Sequence, residues 1–123
     1  MNLNDLPAEL PADEQAKARI IQLTAEQINK DFGSQVVDLE KGPLELEHLL
    51  DGVRMYLQTF PWRNSEKLAQ QLYRVDLKER IIREVIKNPN ISEGLEDLTN
   101  EIVRREVLKI LMRSYFSSSK PIE

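Results

Sequence analysis

The stretch NSEKLAQQLYRVDLKERIIREVIK, residues 64–87, decides how many helices this chain contains. Leu68, Leu72, Val75, Ile82 and Val85, with Ile86 beside it, recur at steps that place them along one side of a helix. Tyr73, Leu77 and Ile81 form a second, flanking stripe. A helix that is apolar on two sides has neighbours on two sides, so the spacing predicts one central helix of roughly 24 residues, about 36 Å long. Asp76 with Arg80 and Glu79 with Arg83 stand in the acid-first i,i+4 order that suits a solvent face. Tyr73 is expected at a helix boundary, with its ring packed and its hydroxyl wet.

On the N-terminal side, Pro61 cannot continue a helix and disfavours helical geometry at Phe60. Asn64 is a good N-cap, which leaves Pro61, Trp62 and Arg63 as a short link between antiparallel neighbours or across a sharp elbow. Trp62, the only tryptophan, is expected to plug this corner; the competing reading makes Trp62 and Arg63 a partner contact. Upstream, Pro43 suits a first helical position, and Leu46, Leu49, Leu50, Val53, Leu57 and Phe60 follow at steps of mostly three and four, predicting a second helix from Pro43 to about Phe60. Gly52 lies inside it at a cost of about 1 kcal/mol relative to alanine, which favours close approach of another backbone.

Further upstream, Ile21, Ala25, Ile28 and Phe32 share one face, so the first helix is expected over residues 12–32, with Asp13 and Glu14 at its positive end and Gly33 as its left-handed exit. Between them, residues 34–42 contain Val36, Val37 and Leu39 and read as an extended connection pressed onto the core, with a strand left open. Downstream, Asn88, Pro89 and Asn90 make a turn, and Asn90 or Ser92 caps a last helix that ends near Phe116.

These elements predict an all-α chain: an antiparallel four-helix bundle-like single domain with an extended connection between the first and second helices. Residues 1–11 form an N-terminal arm, 12–116 the bundle and 117–123 a solvated tail. The core is expected to contain Ile21, Ile28, Leu49, Val53, Leu72, Val75, Ile102 and Leu111.

Composition bounds the chemistry. With 123 residues, 41% hydrophobic and 31% charged, and a mean hydropathy of −0.47, the chain is apolar enough to fold and too charged for the bilayer. No apolar run approaches the roughly 20 residues of a membrane helix. The acidic, proline-broken MNLNDLPAELPADEQ cannot act as a secretory signal, and the Met1 start reads as a whole small gene product, so a cytoplasmic location without membrane contact is expected. The absence of cysteine removes disulfides, thiolate metal sites and cysteine nucleophiles.

Glu45 and His48 form a Glu-x-x-His step of the kind that serves di-iron bundles. Such sites use two steps and two further inward glutamates, whereas His48 is the only histidine. No Gly-x-Ser-x-Gly elbow, P-loop or GxGxxG pattern occurs among the 4 glycines. No catalytic, cofactor-binding or metal-ligating residue is therefore assigned, and enzymatic activity is not expected.

Charge is unevenly distributed. Residues 1–51 hold 11 acids and 4 bases, net −7, and residues 52–123 hold 10 acids and 13 bases, net +3. The plain explanation is that the acidic half neutralises the basic half. The alternative is a basic strip for a partner, drawn from Arg74, Lys78, Arg80, Arg83 and Lys87, and from Arg104, Arg105, Lys109 and Arg113. A pI near 5.1, with no exposed aromatics and no short helix-turn-helix connection beside these residues, argues against nucleic acid. The expected function is a protein–protein interaction or regulatory module with an unidentified protein partner, open to forming a homodimer. Its expected surface comprises Trp62, Arg63, Val107, Ile110, Tyr115 and Phe116, at the far ends of the longer helices. The alternatives are a nucleic-acid-associated protein and a small enzyme or ligand carrier.

Overall fold

The computed structural model describes residues 10–62 and 65–119, with the side chains of 114–119 outside that description. The chain is all-helical: α1 spans Glu14–Phe32, α2 Leu46–Gln58, α3 Glu66–Val75, α4 Glu79–Lys87 and α5 Ile91–Ser119. The described residues contain five helices and no strand, which revises the expected four-helix arrangement.

The revision falls on residues 64–87, where the expected single helix is two. Asp76 adopts the left-handed conformation, φ 70° and ψ 41°, and ends α3. Its N–H donates to the carbonyls of Leu72 and Tyr73, and the Leu77 N–H also donates to Leu72 at 3.3 Å. This closure satisfies carbonyls that a helix end would otherwise orphan. The physical reason for the break lies in Leu77. At 100° per residue it would point about 180° away from Leu68 on a straight helix, into water. Breaking the helix at Asp76 lets Leu68, Leu77 and Val85 all be buried, at 2%, 9% and 6% exposure. The expected Asp76–Arg80 pair is replaced by a 2.6 Å ion pair between Asp76 and Arg105. Tyr73, expected to be packed, is 86% exposed.

The centre of the fold also differs from expectation: α5 packs against each of α1, α2, α3 and α4, and α1 packs in addition on α3. Leu98, Ile102, Val103, Val107 and Ile110 are all buried along α5, a face broad enough to serve several neighbours. Asn90 Oδ1 accepts the Glu93 N–H at 3.0 Å and starts α5. The 29 residues of α5, about 43 Å at 1.5 Å each, run to Ser119, through the first three residues of the expected tail.

Elsewhere the local chemistry follows the sequence more closely. Asp13 Oδ2 accepts from the Ala16 N–H at 2.9 Å, so α1 begins at Glu14 and not at residue 12. Gly33, at φ 63°, ends it as expected. Val36 and Val37 are buried in the extended connection, and the Asn29 side chain holds Val37 from both sides, donating to its carbonyl at 2.9 Å and accepting from its N–H at 2.8 Å. A Cβ on Gly52 would lie 2.6 Å from the Val36 carbonyl oxygen, so the glycine is where a second backbone touches α2.

Pro43 does not start α2; Glu45 occupies the N-cap, three residues before His48. At its other end α2 stops at Gln58, with Thr59 as cap, two residues short of Phe60. Phe32, Tyr56 and Phe60 then stack edge to face, at 5.3 and 5.4 Å, beside the buried Trp62 corner. The expected cap Asn64 is outside the described residues, and Ser65 Oγ accepts the Leu68 N–H at 3.1 Å to begin α3. Seven of the eight expected core residues are buried and Leu111 is partly so. Among the described residues no helix is long and apolar enough to cross a membrane.

Candidate polyanion interface on α4

The short α4 is attached by one side. Val85 is its only buried residue and Ile81 and Ile82 are partly buried. Arg80, Arg83 and Lys87 are exposed. At 100° per residue these three fall within an arc of about 60° on the side opposite Val85, spread over about 10 Å of helix. Glu79 and Glu84 flank that arc. The connection that sets α4 in place is three residues long, Asp76 to Lys78, a short helix–turn–helix link that the helical period of the sequence concealed. Its inner residue Leu77 packs into the core together with Leu72 and Val75 of α3, which fixes the turn.

The basic residues of α5 are differently placed. Arg105 is committed to Asp76 at 2.6 Å, Lys109 to Asp31 and Glu106 at 2.7 Å each, and Arg104 stands 3.8 Å from Glu101. Arg113 donates to Gln27 at 3.3 Å. Arg54 of α2 binds Glu96 in a forked contact that lowers the carboxyl pKa of Glu96, first through the hydrogen bond itself. Close ion pairs within the chain therefore account for Arg105 and Lys109, a longer one for Arg104, and a hydrogen bond to a neutral amide for Arg113. Among the described residues these contacts do not extend to Arg80, Arg83 or Lys87, none of which has an ion-pair partner.

Of the expected interaction surface, the members whose side chains are described are buried. Trp62, Val107 and Ile110 are 7%, 0% and 2% exposed and belong to the chain's own core. Arg63 and the side chains of Tyr115 and Phe116 lie outside the described residues. Among the described residues the exposed large apolar side chains are Met55, Tyr73, Ile86, Ile91 and Met112, spread over four helices.

The Glu45–His48 step has a structural role. His48 Nδ1 accepts the Glu45 backbone N–H at 2.8 Å, so the Glu-x-x-His step closes the start of α2. Among the described residues no group of three or more His, Asp or Glu side chains is placed to hold a metal ion. A groove of about 480 Å³ between α4 and α5 is lined by Ile81, Val85 and Asn100 and by the carboxylates of Glu84, Asp97 and Glu101. A second, of about 710 Å³, lies between the start of α1 and residues 43–50. The second is lined by Lys17 together with Glu14, Glu45 and Glu47.

One cluster escaped the sequence analysis altogether. Glu106, 0% exposed on α5, lies beside Lys109 and Asp31. Lys109 Nζ is 2.7 Å from Asp31 Oδ2 and 2.7 Å from Glu106 Oε1, the latter without hydrogen-bond alignment. Burial pushes the Glu106 carboxyl up to about 8, and its hydrogen bond with Asp31 adds to the shift. Burial acts to raise Asp31 too, but hydrogen bonds from Glu106 and Lys109 outweigh it and hold Asp31 below its usual value. The opposite shifts favour a protonated Glu106 beside an ionised Asp31 near neutral pH. The signal of Glu106 was present in the sequence: residue 106 falls between Ile102, Val103, Val107 and Ile110 in the apolar phase of the helix. The cluster ties helices together, and with Glu106 fully enclosed it offers nothing to a substrate.

Compared with known proteins, the chain matches no protein-family model, no curated protein and no solved structure.

Proposed function

We propose that this protein is a binding module that docks an anionic macromolecule through the outward face of α4. The observation that carries this reading is the contrast between the two basic helices: the cations of α5 are engaged within the chain, whereas Arg80, Arg83 and Lys87 share one exposed face and have no internal ion-pair partner among the described residues. Holding three like charges together costs self-repulsion, which a partner of opposite sign relieves. The self-associating apolar surface expected from the sequence receives no comparable support, because Val107 and Ile110 are core residues.

Retention on immobilised heparin tests the reading, with circular dichroism to show that variants fold. Wild type should be retained at low ionic strength and released as salt is raised, despite its net charge of −4. A variant carrying Arg80→Glu, Arg83→Glu and Lys87→Glu should flow through. Wild type that is not retained, or a variant retained equally, overturns the proposal.

A further inference from the structure

Resting on that docking reading, we infer that the anionic partner is duplex DNA, with α3, the Asp76–Lys78 turn and α4 forming a helix-turn-helix unit that lays α4 in the major groove. Three observations converge. The connection is three residues long and turns through the left-handed Asp76, at φ 70°. Short turns of this kind join the two helices of DNA-reading helix-turn-helix motifs. The turn is also seated in the core, since Leu68, Leu72, Val75 and Leu77 are all buried there, while α4 packs on α5 through Val85, with Ile81 and Ile82 partly buried, and leaves its other side outward. Finally, α4 matches the groove: a helix about 10–12 Å across fits a groove about 12 Å wide.

The identity of the side chains favours nucleic acid over an acidic peptide. The centre of the outward face is Arg80, Arg83 and Lys87, without an aromatic or aliphatic anchor among them, and such anchors dominate protein–protein interfaces. Phosphate neutralisation needs no anchor. Arg80 and Arg83 on the first two turns of α4 and Lys87 at its end would each neutralise a phosphate lining the groove. The acidic total does not defeat this, because charges beyond about 10 Å are screened at 0.1 M salt. Glu79 and Glu84 flank the cationic face, limiting affinity and raising the demand for correct placement.

Fluorescence anisotropy with a labelled 20-base-pair DNA duplex tests the inference, alongside the same sequence as single strand, as A-form RNA duplex, and poly-glutamate as the acidic peptide. Three phosphate contacts predict a salt slope of about −2.7, so duplex DNA binding should weaken about 40-fold between 50 and 200 mM salt. Combining Arg80→Ala, Arg83→Ala and Lys87→Ala should abolish binding, and Lys87→Ala alone should flatten the slope by about 1. A control with Arg19→Ala and Lys41→Ala, on other elements, should bind as wild type. The DNA assignment is overturned if poly-glutamate, single strand or RNA duplex binds as tightly as duplex DNA, or if the α4 triple variant keeps its affinity. Heparin retention lost in the α4 variant would then leave the docking reading standing; failure of heparin and every probe to bind would remove both.

Discussion

Lys109 Nζ lies 2.7 Å from Asp31 Oδ2, tying α5 to α1 across 78 positions of the chain. Lys109 also donates to the Arg74 carbonyl at 3.2 Å, so the end of α3 is held at the same point. Around this contact the fold gathers the Asp31 carboxylate, the Lys109 ammonium and the buried Glu106 carboxyl.

Glu106 makes stability depend on pH. Its carboxyl is raised from an ordinary 4.5 to about 8, so between those values the folded chain binds a proton that the unfolded chain has released. Its contribution is fully present below about pH 4.5 and is lost as pH rises toward 8, at up to about 1.4 kcal/mol per pH unit. Asp31 acts oppositely: its lowered pKa gives stability above its ordinary 3.8 that is lost as pH falls through the folded value. Glu106→Gln keeps a donor toward Asp31 without the ionisation. Urea midpoints should show it flattening the fall between pH 5 and 8, with its largest gain over wild type at pH 8; parallel profiles for the two proteins count against the shared proton.

Gly52→Ala should destabilise the protein although alanine is the better helix former. The added Cβ would sit 2.6 Å from a backbone oxygen, that of Val36, and backbone cannot rotate away as a side-chain tip can. Overpacking of this kind typically costs about 1–3 kcal/mol. A variant with an unchanged or higher urea midpoint would mean that residues 34–42 do not press on α2.

Substitution at Asp76 separates one helix from two. In a continuous helix, Asp76→Gly would lose about 0.3 kcal/mol and Asp76→Ala would gain about 0.5 kcal/mol. At a left-handed cap the order reverses: glycine relieves the strain of φ 70°, and the lost Arg105 ion pair, with Asp76 largely exposed, contributes at most about 1 kcal/mol. Asp76→Gly should therefore melt at or above wild type, and Asp76→Val clearly below it, as a β-branched side chain resists this geometry.

His48→Ala should lower stability by about 0.5–2 kcal/mol, the usual scale for losing a helix cap, because the Glu45 N–H loses its acceptor. Addition of EDTA to wild type should leave the melting temperature unchanged. A drop of several degrees with chelator, absent in the His48→Ala variant, would restore Glu45 and His48 as metal ligands.

Most of the helical content was legible because it rests on local chemistry: Asp13, Gly33, Gly52 and Asn90 each act where the sequence places them. What escaped depends on tertiary choice. A 3.6-residue period through 64–87 tolerates Leu77 as a flank residue, and only the presence of a core beneath both halves makes breaking the helix preferable to exposing that leucine. Glu106 was hidden by the opposite habit, since a glutamate on a helix is read as solvent-facing until a buried carboxylate and a lysine are found opposite it. The candidate face on α4 was visible as a run of bases, but which bases were committed internally could be decided only by the ion pairs of α5.

That α5 touches every other helix, and is the last of them along the chain, bears on how a nascent chain behaves. During translation, α1 and α3 can meet early, but the apolar faces of α1, α2 and α4 that await α5 stay open until residues as late as Val107 and Ile110 have emerged. Closure of the core should therefore follow synthesis of nearly all the described chain, with the exposed intermediates drawing on chaperones in the interval. Chains arrested on the ribosome before residue 98 should remain protease-sensitive, and protection should arrive abruptly once α5 is released.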